Sequence, residues 1–155
     1  MKNLKITFLA IVAIITFSCS DDNNNTNGGS DDTFIKFKVD GDQFNIIEPS
    51  TITSGATVVM AINMDGQYIM LRMPTDAAVG THTITESNSV DPSSYSADVA
   101  IDGDNVISST TGTLTIDSMG AEYMEGTFSF TGDLNGTAYA ITDGEFRAYK
   151  PANNN

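Results

Sequence analysis

The chain has 155 residues, 40% hydrophobic and 17% charged, which is enough for one ordinary domain and fits neither a solvated disordered polymer nor a membrane-filling protein. Seven lysines and arginines face 20 aspartates and glutamates, a formal charge of −13 that repels phosphate backbones and excludes nucleic acid as the default partner. One cysteine and one histidine exclude an internal disulfide framework and a histidine-rich zinc site.

The first segment, residues 1–18, reads as a secretory leader: Lys2 and Lys5 give a basic start, the run Ile6 to Phe17 is broken only by Thr7 and Thr16, and Ser18 is small. That run is too short to span a bilayer stably. The stretch Ile15-Thr16-Phe17-Ser18-Cys19 resembles the lipobox of bacterial lipoproteins, whose peptidase cuts before a cysteine that then carries the lipid. The resemblance implies lipidation at Cys19. Acylation also disposes of a thiol that has no internal partner in an exported chain. Each buried methylene adds about 0.8 kcal/mol of membrane affinity, and stable anchoring takes more than one acyl chain. The diacylglycerol that such lipoproteins carry on sulfur, often with an amide-linked third chain, meets that requirement.

Residues 19–32 follow as the lipidated cysteine and an acidic tether, Ser20 to Asp32, with no apolar side chain to bury and therefore nothing to repay the entropy of ordering. Its opening Ser20-Asp21-Asp22 resembles the acidic export signal of lipoproteins displayed on the cell surface of Bacteroidota. A solvated spacer is the competing use, and a periplasm-facing position is the alternative location. With the leader removed, all 20 acids remain against Lys36, Lys38, Arg72, Arg147 and Lys150, a net charge of −15. Removing the four tether aspartates as well leaves −11 on the body. Such a surface repels anionic lipid, so acyl chains rather than a basic patch must hold the chain to a membrane.

Residues 33–150 alternate apolar and polar positions with period two between Asp-Gly and Asn-Gly turns, the pattern of an all-β domain. A two-residue turn at Asp40-Gly41 pairs Phe37 with Phe44, Ile35 with Ile46, Lys36 with Asn45 and Lys38 with Gln43. A similar turn at Asp65-Gly66 is expected to pair Met64 with Gln67, Ile62 with Ile69, Met60 with Leu71 and Val58 with Met73, which puts these apolar residues on one buried face. Further strands are expected at Gly80-Ile84, Tyr95-Ile101, Val106-Ser109, Gly112-Ile116, Tyr123-Thr131, Thr137-Thr142 and Glu145-Lys150. A loop at Asp133-Gly136 would set Phe130 opposite Tyr139 and Phe128 opposite Ile141. About ten strands without a helical period suit a single antiparallel β-sandwich or flattened β-barrel. Residues 151–155 are expected to form a disordered tail.

Phe37-Lys38-Val39-Asp40-Gly41, Gly112-Thr113-Leu114-Thr115-Ile116, Gly126-Thr127-Phe128-Ser129-Phe130 and Ile141-Thr142-Asp143-Gly144-Glu145-Phe146 resemble segments of the small surface and outer-membrane lipoproteins of Bacteroidota. The resemblance implies an exported β-domain without an assigned activity, and it carries no catalytic residue across.

Candidate sites are few. Asp40-Gly41-Asp42 and Asp102-Gly103-Asp104 each set two carboxylates within reach of one hard cation such as calcium. The EF-hand pattern fails, because its sixth-position glycine falls on Asn45 and Ile107, and Asp-Gly is itself a strong hairpin signal. Met60, Met64 and Met73 share a face in the expected register and carry thioethers that can ligate cuprous copper, although core packing is the plainer use. His82 has no second histidine and reads as a partly exposed strand residue. Glu48, Glu86, Glu122, Glu125 and Glu145 could supply a hydrolytic carboxylate pair, yet no spacing singles one out. A Gly-x-Ser-x-Gly elbow is missing from the sequence. Asp117-Ser118-Met119, expected in a loop between two strands, matches a short O-glycosylation acceptor pattern known among Bacteroidota and makes Ser118 a modification candidate.

The expectation is thus a non-catalytic, membrane-anchored envelope module without a cofactor, binding an envelope protein or a glycan. A lipocalin-like carrier of a small apolar ligand and a small glycan hydrolase are the alternatives. A packed interior would favour the module, a deep apolar cavity the carrier, and a cleft with two carboxyls about 5 to 9 Å apart the hydrolase.

Overall fold

A computed structural model describes residues 33–87 and 91–150. The expected leader, Cys19 with its tether, and the C-terminal tail lie outside the described residues. The fold is all-β: ten strands form one strongly curled antiparallel sheet, a half-barrel. The strands are β1 (Phe34–Val39), β2 (Asp42–Ile47), β3 (Ser50–Thr53), β4 (Thr57–Ile62), β5 (Tyr68–Met73), β6 (Gly80–Ile84), β7 (Ser96–Ala100), β8 (Val106–Met119), β9 (Tyr123–Leu134) and β10 (Thr137–Tyr149). Their order across the sheet is β2-β1-β10-β9-β8-β7-β5-β4-β3, and β6 lies beside the second half of β8.

The first hairpin has the expected register, with Phe37 opposite Phe44 and Ile35 opposite Ile46. Asp40 and Gly41 both take positive φ, 47° and 100°, the geometry whose twist matches the flanking strands. The β4–β5 hairpin departs from expectation by one residue: Ala61 faces Ile69, Val59 faces Leu71 and Val58 faces Arg72. Asn63 is the cause. Its Oδ1 accepts the amide protons of Asp65 and Gln67, Gly66 N–H donates to the Asn63 carbonyl, and Gly66 sits at φ 78°. The connection is therefore a three-residue loop ending in a left-handed glycine, and the added residue turns β4 over. Val59 and Ala61 enter the core, while Ile62 and Met64 lie exposed. The shared buried face expected for Met60, Met64 and Met73 does not exist, since only Met73 points inward.

Two expected strand pairs are single long strands. Val106-Ser109 and Gly112-Ile116 merge into β8, whose register shifts at 109/111 and 116/118. Thr137-Thr142 and Glu145-Lys150 merge into β10, with a shift between Ile141 and Gly144. Each bulge inserts residues without ending the ladder and increases the local bend. The last hairpin turns tightly at Asn135-Gly136, so Ile141 rather than Tyr139 faces Phe130. That two-residue displacement keeps every side chain on its expected face.

Three glycine–phenylalanine pairs tighten the curl. Phe146 lies over Gly126 and Phe128 over Gly144, while Gly112 faces Phe130 across β8 and β9. A methyl group at Gly126 would collide with the Thr115 carbonyl oxygen and lie 2.7 Å from Phe146 Cε1. Glycine is thus what lets ring and backbone share that space. On the concave side Ile35, Phe37, Val59, Ile69, Leu71, Ile107, Leu114, Ile116, Ile141 and Phe146 are essentially inaccessible and form one contiguous core. The sheet's two outermost strands, β2 and β3, are consecutive in sequence. Thr51 on β3 donates from Oγ1 to the Tyr149 carbonyl at 2.7 Å, which draws that edge toward the end of β10.

Candidate functional site

Because inward positions on β1, β9 and β10 are set by Phe37, Phe128 and Phe146, the alternate residues face outward and line up across the strands. One row runs Ile47, Phe34, Arg147, Glu125 and Ser118 over β2, β1, β10, β9 and β8. The next row toward the barrel's middle carries Asn45, Lys36, Glu145, Thr127 and Thr115.

The first row is organised by Arg147. Its guanidinium carbon lies 4.5 Å from the centre of the Tyr123 ring, and Tyr123 in turn packs on Tyr149 at 5.1 Å between centroids. Arg147 Nε is 3.2 Å from Glu125 Oε1, at an angle that gives charge pairing without a formed hydrogen bond. Glu125 also accepts a 3.3 Å hydrogen bond from the Ser118 hydroxyl. Lys36 Nζ sits 2.8 Å from Glu145 Oε2 and 5.3 Å from the centre of the Phe34 ring. All these side chains are partly open to solvent, so the ion pairs add little stability. Their effect is to hold rings and charged heads in fixed places on an outer surface.

Two adjoining depressions result. One, about 270 Å³, is lined by Phe34, Asp117, Glu125, Thr127, Glu145 and Arg147. The other, about 450 Å³, is lined by Thr113, Thr127, Ser129, Asp143, Gly144 and Glu145. They share Thr127 and Glu145 and so form one open trough, with hydroxyls in its floor and carboxylates along its side. Such a surface offers donors and acceptors to a polyhydroxylated ligand, and the Phe34 ring at one end, against which carbon-bound hydrogens can pack. Its two best-placed glutamates, Glu125 and Glu145, are each paired with a cation.

Of the candidates read from sequence, Glu125, Glu145 and Ser118 lie at the trough, and the aspartate pairs and His82 fall elsewhere. Ser118 lies within β8 at a bulge and not in a loop between strands, its hydroxyl bound to Glu125 at the rim of the trough. Asp40 accepts the Ala140 amide at 2.8 Å and joins the first turn to β10. Asp42 is an exposed residue at the start of β2. Asp102 caps its own turn by accepting from the Asn105 backbone and side chain, which holds its carboxyl below the usual carboxylate range. Asp104 is exposed in that turn. Among the described residues no three His, Cys, Asp or Glu side chains converge as a metal site. His82 stacks on Tyr95 at 4.2 Å and its Nε2 contacts the Ala78 carbonyl at 2.8 Å. The sequence reading missed Arg147, Tyr123, Tyr149 and Phe34, whose clustering depends on β1, β10 and β9 being neighbours. The available signal was their shared outward parity.

A search of family models, curated proteins and solved structures found no match to this chain.

Proposed function

We propose that this chain is a lipid-anchored, non-catalytic lipoprotein of the cell envelope, displayed at the outer membrane, whose β-domain binds neutral glycan along its convex face. The trough that joins Phe34, Arg147 and Glu125 to Thr127, Ser129 and Asp143 carries this reading. The Phe34 ring at one end, hydroxyls in the floor and fixed carboxylates along the side suit a sugar chain. A body charge of −11 disfavours a polyanionic one. Ion pairing of Glu125 and Glu145 supports holding over hydrolysis. The filled concave side supports a packed module over a hollow carrier. The lipobox at Cys19 and the acidic residues behind it support anchoring and display.

Affinity electrophoresis through neutral β-glucan, mannan and xylan, with polyuronate as control, tests the binding. Retardation by a neutral polymer that is lost in Arg147→Ala is expected. Equal mobility in every gel, or retardation by polyuronate alone, would overturn it. The anchor is tested separately by fatty-acid labelling in a lipoprotein-exporting bacterium, where incorporation is expected in the native chain and must vanish in Cys19→Ala.

A further inference from the structure

A different pocket opens at one end of the half-barrel. Met73 ends β5, Met119 ends β8 and Met124 lies near the start of β9, where it faces Met119 across the two strands. All three line a pocket of about 210 Å³ together with Thr57, Pro74, Thr75, Ala77 and Lys150. Met73 and Met124 are fully buried behind the pocket, and Met119, packed partly against the core, is its accessible thioether. Lys150 is pinned by its backbone amide, which donates to the Glu122 carbonyl at 2.7 Å. Its ammonium makes no ion pair among the described residues, whereas Lys36, Lys38 and Arg147 each have one.

We propose that this pocket binds a small monocarboxylate with an apolar, aromatic body, the ring against Met119, Pro74 and Ala77 in front of the buried Met73 and Met124, and the carboxylate on Lys150. An enclosed apolar cavity of about 150 Å³ is known to hold benzene; at about 210 Å³ this pocket, open on one side and lined by Thr57, Thr75 and Lys150 as well as apolar groups, has the volume for one such ring and a small polar group. Thioether sulfur is polarisable, adapts to ring edges and contributes favourable contacts to aromatic groups. One cation in a pocket of mixed apolar and hydroxyl lining selects one anionic group, and the surrounding negative field disfavours ligands with more. Three thioethers are also a donor set for cuprous ion, but the neighbouring ammonium opposes a second positive charge.

The test is titration of the full-length chain, selectively labelled at its methionine methyl groups, with benzoate, its neutral isostere benzamide, and silver(I). Benzoate is expected to shift the Met73, Met119 and Met124 signals and to bind about tenfold more tightly than benzamide, a difference set by the charge-assisted contact. Lys150→Gln must abolish that preference while leaving benzamide binding unchanged. Ala77→Leu, which narrows the pocket from its partly exposed wall, must weaken both ligands without lowering the melting temperature appreciably. The proposal is overturned if benzoate leaves the three methyl signals in place, if Lys150→Gln keeps the preference, or if silver(I) alone moves them.

Discussion

Replacing Gly126 with alanine adds one methyl group at the most crowded point of the curled sheet. That methyl would overlap the Thr115 carbonyl oxygen on β8 and approach Phe146 Cε1 and Cζ to 2.7 and 2.9 Å. The ring can rotate aside, but the carbonyl belongs to a paired ladder position, Thr115 opposite Thr127, and moves only if β8 and β9 separate. Overpacking of this kind costs about 1–3 kcal/mol, and a backbone collision belongs at the upper end. With an unfolding entropy of about 2.1 cal/mol/K per residue over the roughly 115 described residues, 3 kcal/mol lowers Tm by about 12 °C. Gly41→Ala is the internal control: nothing lies within 4 Å of its added methyl, and only its φ of 100° is strained. Its loss should be about 1 kcal/mol, or roughly 4 °C. Thermal unfolding followed by far-ultraviolet circular dichroism measures both. A Gly126→Ala protein melting within 3 °C of the parent, or no lower than Gly41→Ala, would refute the idea that ring-over-glycine packing sets the curl.

Three further outcomes follow from the faces and charges described. Val59→Lys places an ammonium in the core and should remove more than about 3 kcal/mol of stability in urea denaturation, whereas the neighbouring Met60→Lys should change it by less than about 0.5 kcal/mol, the reverse of what a two-residue Asp65-Gly66 turn would give. Arg147→Ala removes an exposed pair with Glu125 and should shift the urea midpoint by less than the equivalent of about 1 kcal/mol, even as it abolishes retention by neutral polysaccharide. Asp102, held low first by the Asn105 side chain and then by its amide, favours its ionised form in the folded chain; the stabilisation is present above its ordinary value of 3.8 and is lost as pH falls through the folded value. Carboxyl-carbon NMR should therefore show Asp102 titrating below 3.8 and moving upward in Asn105→Ala.

How far the sequence could be read depended on whether the deciding contact was local. The β1–β2 hairpin was legible because Asp40-Gly41 fixes turn and register within a few residues. The β4–β5 hairpin misled because a second turn solution, built on the Asn63 side chain, uses the same Asp-Gly and inserts one residue more. Both registers bury Ile69, Leu71 and Met73, so the apolar pattern of β5 could not choose between them. On β4, Val59 and Ala61 match the inward side of a tightly curled wall better than Met60 and Ile62, a preference that exists only once the curvature is known. The bulges at Thr110, Asp117 and Thr142-Asp143 looked like breaks because period-two reading ends wherever parity changes. Short β3, Ser50–Thr53, lacks any inward apolar residue and gave no signal. The trough was the least legible feature: Phe34, Glu125 and Arg147 come from three strands that only the sheet order places side by side.

Leaving β2 and β3 as the outermost strands has a consequence for crowded neighbours. Each offers a row of backbone groups that another molecule could zip onto, and Ile47 and Ile52 stand outward beside them. Four residues is a short template, Pro49 withholds a donor at the junction, and Glu48 at φ 56° kinks the path between the two strands. The lateral seam thus guards itself against polymerisation by brevity and a bent joint, and straightening Glu48-Pro49 would give a chain that stacks edge to edge.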